Sequence, residues 1–248
     1  MPNGTQDSIN TITNYCYNKI NTKEGNYLMK KILPCLAVAA LMVTGCAPST
    51  KVSEKKFTEE VTNYGVFLNN NVKFEGNGTM GEMEVSMTFL SESDGENLKL
   101  HATIALLNGE NAGTAMQAML VGEVKEDKFN GNAYMSEGAE WGTKVMTNVP
   151  MEEIKEQLIE FTYLAPLEYK DVKYDSKEKG YVFDKFVASV RDGDMTIAAT
   201  FKDGELKFKG GDLVSYKYDM AIGTNLTEIS LERTQKGGVT VTVPEIPA

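Results

Sequence analysis

The chain of 248 residues carries 25 basic and 35 acidic residues, one histidine and three cysteines, for a formal charge of −10. A chain this acidic lacks the Lys/Arg footprint that nucleic-acid phosphates require, and a lone histidine excludes a His-rich metal site. Cys16, Cys35 and Cys46 all precede the β-patterned part of the chain, which therefore has no disulfide to staple it and no thiolate for catalysis.

Residues 1–28 are rich in Asn and Thr and show no periodic apolar face. Lys23-Glu24-Gly25 can be encoded by a purine-rich ribosome-binding site just before Met29, so this stretch reads as translated upstream sequence and Met29 as the expected start. Residues 29–45 then form a secretory signal, with Lys30 and Lys31 ahead of an apolar run from Ile32 to Val43. The run is too short to span a bilayer, which takes about 20 apolar residues in a helix. Val43-Thr44-Gly45-Cys46 resembles the bacterial lipobox, which implies that Cys46 is acylated and becomes the mature N-terminus. From Cys46 onward 21 basic residues face 33 acidic ones, so no polybasic patch is offered to anionic lipid. Acyl chains on Cys46 are the expected membrane link, with the protein on the extracytoplasmic face of the cell membrane.

Residues 46–56 read as the lipidated cysteine and a polar tether, and 57–248 as one domain. Ser53 suits a helix N-cap, and Phe57, Val61, Tyr64 and Leu68 recur at the helical period until Asn69-Asn70-Asn71. From Val72 the period becomes two. Met83, Val85, Met87 and Phe89 alternate with polar residues, as do Leu98, Leu100, Ala102 and Ile104, and Ser93-Asp94-Gly95-Glu96 between them predicts a hairpin. Strands are expected at about 114–124, 128–135 and 140–146. Pro150 suits the first turn of a second helix bearing Met151, Ile154, Leu158 and Phe161 on one face, and Pro166 closes that segment. Strands follow at 171–174, 181–190, 195–201, 205–209, 213–220, 228–233 and 239–243, with turns at Asp192-Gly193, Asp203-Gly204 and Gly237-Gly238. The expected class is α+β: a long, curved antiparallel sheet wrapped over two amphipathic helices.

FTEEVTNYGVFLNNN running into VKFEGNGTM, AEWGTKVM running into PMEEIKEQLIEF, and the meander from Phe201 to VTVPE resemble the LolA/LppX-like lipoprotein-carrier superfamily over roughly residues 57–245. The resemblance implies a strongly curved antiparallel sheet forming an open half-barrel with the two helices on its concave side, and binding of a lipid or other apolar molecule in the concave space. The chain departs from shuttling carriers in keeping its own anchor. Candidate cavity residues are Met83, Val85, Met87, Phe89, Leu100, Ile104, Trp141, Leu158 and Phe161. Methionine suits adaptable apolar surfaces, and equally fills gaps in an ordinary core. Trp141 serves either as a cavity mouth or as a core anchor, His101 reads as a surface residue on a polar strand face, and Asp192-Gly193-Asp194 lacks the ligand series of a calcium loop. The tyrosines of the second half can line a groove or pack the sheet. With no nucleophile elbow, P-loop or dinucleotide fingerprint, the chain reads as no enzyme and implies no cofactor. A hydrolase using paired carboxylates is a remote option, since their spacing is spatial. The alternative to a lipid-binding protein is an envelope interaction module with a filled core and an envelope protein as partner.

Overall fold

The computed structural model describes residues 50–137, 140–165, 167–192, 195–223 and 225–243; the side chains of 137, 140, 159–161, 189–192, 195–197 and 225 lie outside the described set. A tight N-terminal segment comes first: α1 (Glu54–Phe57), a π turn (Thr58–Thr62) and α2 (Gly65–Leu68). A meander follows, β1 (Val72–Met80), β2 (Met83–Ser93), β3 (Asn97–Leu106), β4 (Ala115–Lys125), β5 (Lys128–Glu137) and β6 (Glu140–Pro150). Helix α3 (Met151–Thr162) leads through a 3-10 turn (Tyr169–Asp171) into a second meander, β7 (Lys173–Asp175), β8 (Gly180–Asp192), β9 (Met195–Lys209), β10 (Asp212–Ile222) and β11 (Asn225–Lys236).

All 11 strands form one antiparallel sheet in the order β6-β5-β4-β3-β2-β1-β11-β10-β9-β8-β7. The two meanders are local hairpins; the pairing of β1 with β11, Val72 opposite Lys236 and Met80 opposite Thr227, joins them. Cross-strand partners share a face, so Met116, Ile104, Met87, Gly76, Leu231, Tyr216, Leu206, Tyr181 and Tyr174 form one row across nine strands on the inner side. That side carries a single hydrophobic core. Register shifts at Lys73/Phe74, Phe129/Gly131, Leu213/Ser215 and Lys217/Asp219 mark bulges, which bend and twist strands.

The α+β expectation is corrected: the fold is an open sheet with helices as a minor component, and among the described residues β6 and β7 are its two edges. The expected first helix is not continuous. The π turn widens it, Tyr64 sits in the left-handed region at φ 54°, and only then does α2 start. Gly65 permits this corner, because a Cβ there would lie 2.4 Å from the Glu59 carbonyl oxygen. Phe57, Val61 and Tyr64 are nonetheless buried, but after the corner Val66 and Phe67 turn inward and Leu68 is only half-buried, so the apolar spacing predicts the facing as far as Tyr64 and misses the path. Helix α3 forms as expected, with Ile154 and Leu158 fully buried.

Two strand expectations also change. Asp203-Gly204 is no hairpin; β9 runs through it, with Asp203 at φ 52° in the bulge opposite Lys217 and Asp219. The 239–243 segment forms no strand, yet buries Val239 and Val241 and docks its Val241 N–H on the Glu92 carboxylate at 2.8 Å.

Candidate functional site

The sheet has a lower end, where β1 starts at Val72 and β9 finishes at Lys209, and an upper end at the β1–β2 turn and the finish of β10. Packing material enters from below. Ser91 and Ser93 on β2 donate to the carbonyls of Phe67 and Leu68, the second at 2.6 Å, and Asn71 Oδ1 accepts from Ser93 N–H at 2.9 Å. Buried Glu60 accepts from the Leu213 N–H at 3.3 Å and from Lys56 Nζ at 2.9 Å, and that bond raises the Lys56 pKa. Phe57 meets Tyr169, Tyr181 and Phe208 with ring centroids 5.3 to 5.8 Å apart.

Helix α3 starts at the same end, with the Met151 N–H bonded to the Asp127 carbonyl at 3.0 Å. Its last residue reaches mid-sheet on the other meander, where the Thr162 carbonyl accepts from the Tyr216 hydroxyl at 2.5 Å. Tyr64 likewise donates to the Leu164 carbonyl at 3.2 Å. Burial pushes the hydroxyls of Tyr64, Tyr216 and Tyr218 upward in pKa, so they remain neutral donors. Of the second-half tyrosines, Tyr181, Tyr216 and Tyr218 are buried and pack the sheet, and Tyr163, Tyr169 and Tyr174 are half-buried.

The upper inner face differs. Met83, Met80, Thr227, Met220, Phe201 and Phe186 form a row across β2, β1, β11, β10, β9 and β8. Of these only Phe201 is buried; the others are half-buried, as are Ala188 and Ile222 beside them, Ile104 in the Met87 row and Ala118 in the Phe89 row. This apolar rim offers thioethers, an aromatic ring stacked on Phe201 at 4.7 Å, and short aliphatic groups. Such a surface can receive an acyl chain or similar apolar body, and of the side chains named here only Thr227 carries a polar group. Among the described residues no group of His, Cys, Asp and Glu could hold a metal ion.

The predicted site residues divide accordingly. Met83 and Ile104 lie on the rim. Val85, Met87, Phe89, Leu100 and Leu158 are at most 4% exposed and belong to the filled core. Trp141 is half-buried opposite Ser136, in register with Gln117 and Thr103, and so lies on the outer face, away from the other candidates. Phe161 is in the last turn of α3 with its side chain outside the described residues, and Cys46 with residues 1–49 also lies outside them. Sequence reasoning did not pick Met80, Ala118, Phe186, Ala188, Met220 and Ile222 as site residues; their signal was apolar alternation toward the inner face. His101 is on the polar face but half-buried, bonded to Gln117 Oε1 at 3.0 Å and Thr103 Oγ1 at 3.2 Å, with burial lowering its pKa.

Among the described residues no helix is long and apolar enough to cross a membrane. Comparison with protein-family models, with curated proteins and with solved structures gives no match.

Proposed function

We propose that the protein is an extracytoplasmic lipoprotein, held to the cell membrane by acylated Cys46, that binds a lipid or other apolar molecule non-covalently against the inner face of the sheet. The half-buried rim carries this reading: Met80, Met83, Ile104, Phe186, Met220 and Ile222 sit on the core side of the sheet, where apolar groups are normally covered, and stay partly open to solvent. The resemblance to lipoprotein carriers and the lipobox-like Val43-Thr44-Gly45-Cys46 support it from the sequence. Candidate contacts are the rim residues; Val85, Met87, Phe89, Leu100 and Leu158 belong to the filled core.

Native mass spectrometry of residues 47–248, purified without detergent, tests the reading. Bound lipid that is lost on Ile104→Trp supports it, and a lipid-free chain that takes up no added fatty acid or phospholipid refutes it.

A second reading is an envelope interaction module, favoured by β8. Strand β7 pairs with β8 only over Gly180–Val182, so the longer part of that edge has no strand partner among the described residues, and Val187 is 59% exposed. Strand addition by a protein partner uses such an edge. The same experiment separates the readings, since strand addition needs no lipid.

A further inference from the structure

Three contacts fix where the tether leaves the domain. Thr50 N–H donates to the Phe208 carbonyl at 2.8 Å. Val52 is bonded through both backbone groups to the Tyr181 hydroxyl, at 3.0 and 2.7 Å. Lys51 Nζ lies 5.9 Å from the Tyr174 ring centroid on β7, within cation–π range. All three are at the lower end of the sheet, on the β7–β9 side. Cys46 precedes Thr50 by four residues, a reach of at most ~14 Å. From Phe208 to Phe201, at the level of the rim, β9 advances seven residues, or ~23 Å at the usual strand rise.

Charge is divided along the same line. Residues 72–150, the β1–β6 meander, hold five basic and 12 acidic residues. Residues 168–209, from the 3-10 turn to the end of β9, hold nine of each. Near the tether Lys51, Lys55, Lys173, Lys177 and Lys179 are exposed. An anionic bilayer surface repels the first meander and tolerates the second, within a Debye length of about 8 Å.

We propose that the surface facing the anchoring bilayer is the corner formed by residues 50–56, β7 and the 176–179 turn, so that the apolar rim opens away from that bilayer. The partner of this corner is the lipid headgroup layer. Cargo then exchanges with a donor or acceptor beyond the anchoring leaflet, and the tether sets the reach. The proposal rests on the acylation of Cys46 and is independent of whether the rim holds a ligand.

The mature chain has no thiol other than that of Cys46, so single cysteines can be labelled selectively in the acylated protein. Exposed Lys177 near the tether, and exposed Glu82 and Asn111 at the far end, are each replaced by Cys and labelled with a fluorophore. The protein is then reconstituted in phosphatidylethanolamine–phosphatidylglycerol vesicles carrying a headgroup spin label. The expected result is quenching several-fold stronger at 177 than at 82 or 111, and release of Cys46→Ala from the vesicles. Equal or stronger quenching at 82 or 111, or vesicle binding retained by Cys46→Ala, overturns the proposal. If the quenching pattern holds while no lipid co-purifies, the orientation stands and the ligand reading fails.

Discussion

The Tyr181 hydroxyl serves both backbone groups of Val52, accepting from its N–H at 3.0 Å and donating to its carbonyl at 2.7 Å across 129 residues of sequence. Burial raises the Tyr181 pKa to about 12, which keeps this donor intact at neutral pH. Tyr181→Phe leaves two buried backbone groups without this partner and should cost about 1–3 kcal/mol. Urea unfolding gives the loss, and amide exchange at residues 50–53 should accelerate selectively. An unchanged exchange rate there would show that the tether is held by something else.

Glu60 ties the N-terminal segment to β10 through the Leu213 N–H. Glu60→Ala orphans that donor and removes the Lys56 partner, with an expected loss of about 1–3 kcal/mol. Lys56→Met should cost as much or more, because it leaves the Glu60 carboxylate, 4% exposed, without its cation, and an unpaired buried charge is strongly destabilising. Chemical denaturation of the two variants checks the order.

Gly204 lies beneath the Phe183 ring, whose nearest atom is 1.9 Å from where a Cβ would stand. Gly204→Ala must displace that ring and should destabilise by about 1–3 kcal/mol, the usual cost of overpacking. Combining it with Phe183→Leu should cost less than the sum of the single variants, since the residues are in contact. Strict additivity in a double-mutant cycle would contradict the packing.

Glu92 accepts from Lys99 Nζ at 2.7 Å and from Val241 N–H at 2.8 Å, and these bonds, Lys99 first, lower its pKa. A depressed carboxylate contributes stability that is present above its unfolded pKa of about 4.3 and is lost as pH falls through the lower folded value. Exchange protection of the Val241 amide, compared with its intrinsic rate, should therefore fall in acid below that ordinary range. Glu92→Gln should remove the pH dependence, and a protection factor that ignores pH would refute the link.

The sequence makes much of this architecture legible, and the exceptions have physical causes. Local hairpins announce themselves by alternation and by turns such as Asp94-Gly95, whereas the β1–β11 pairing joins strands over 140 residues apart and leaves no local mark. Phe57, Val61 and Tyr64 predict an inward face because burial depends on spacing, while the π turn and left-handed Tyr64 depend on contacts with the sheet. Val239 and Val241 alternate like a strand, but a Glu92 side chain takes the Val241 N–H. The candidate site suffers from the same limit. Met83 and Met87 are equivalent in alternation, yet Met87 is covered and Met83 is half-buried, because packing material enters from one end of the sheet. Trp141 is on the outer face because it is opposite Ser136 in register, which single-strand patterning around a turn does not reveal.

The account rests on the rim of Met80, Met83, Ile104, Phe186, Met220 and Ile222 receiving an apolar guest. Photocross-linking with a diazirine-bearing fatty acid, mapped by peptide mass spectrometry, reads that directly. The prediction is adducts concentrated on β1, β2, β3, β8 and β10 near these residues and competed by unlabelled lipid. Adducts scattered over the outer face, or none above an unfolded control, would contradict it.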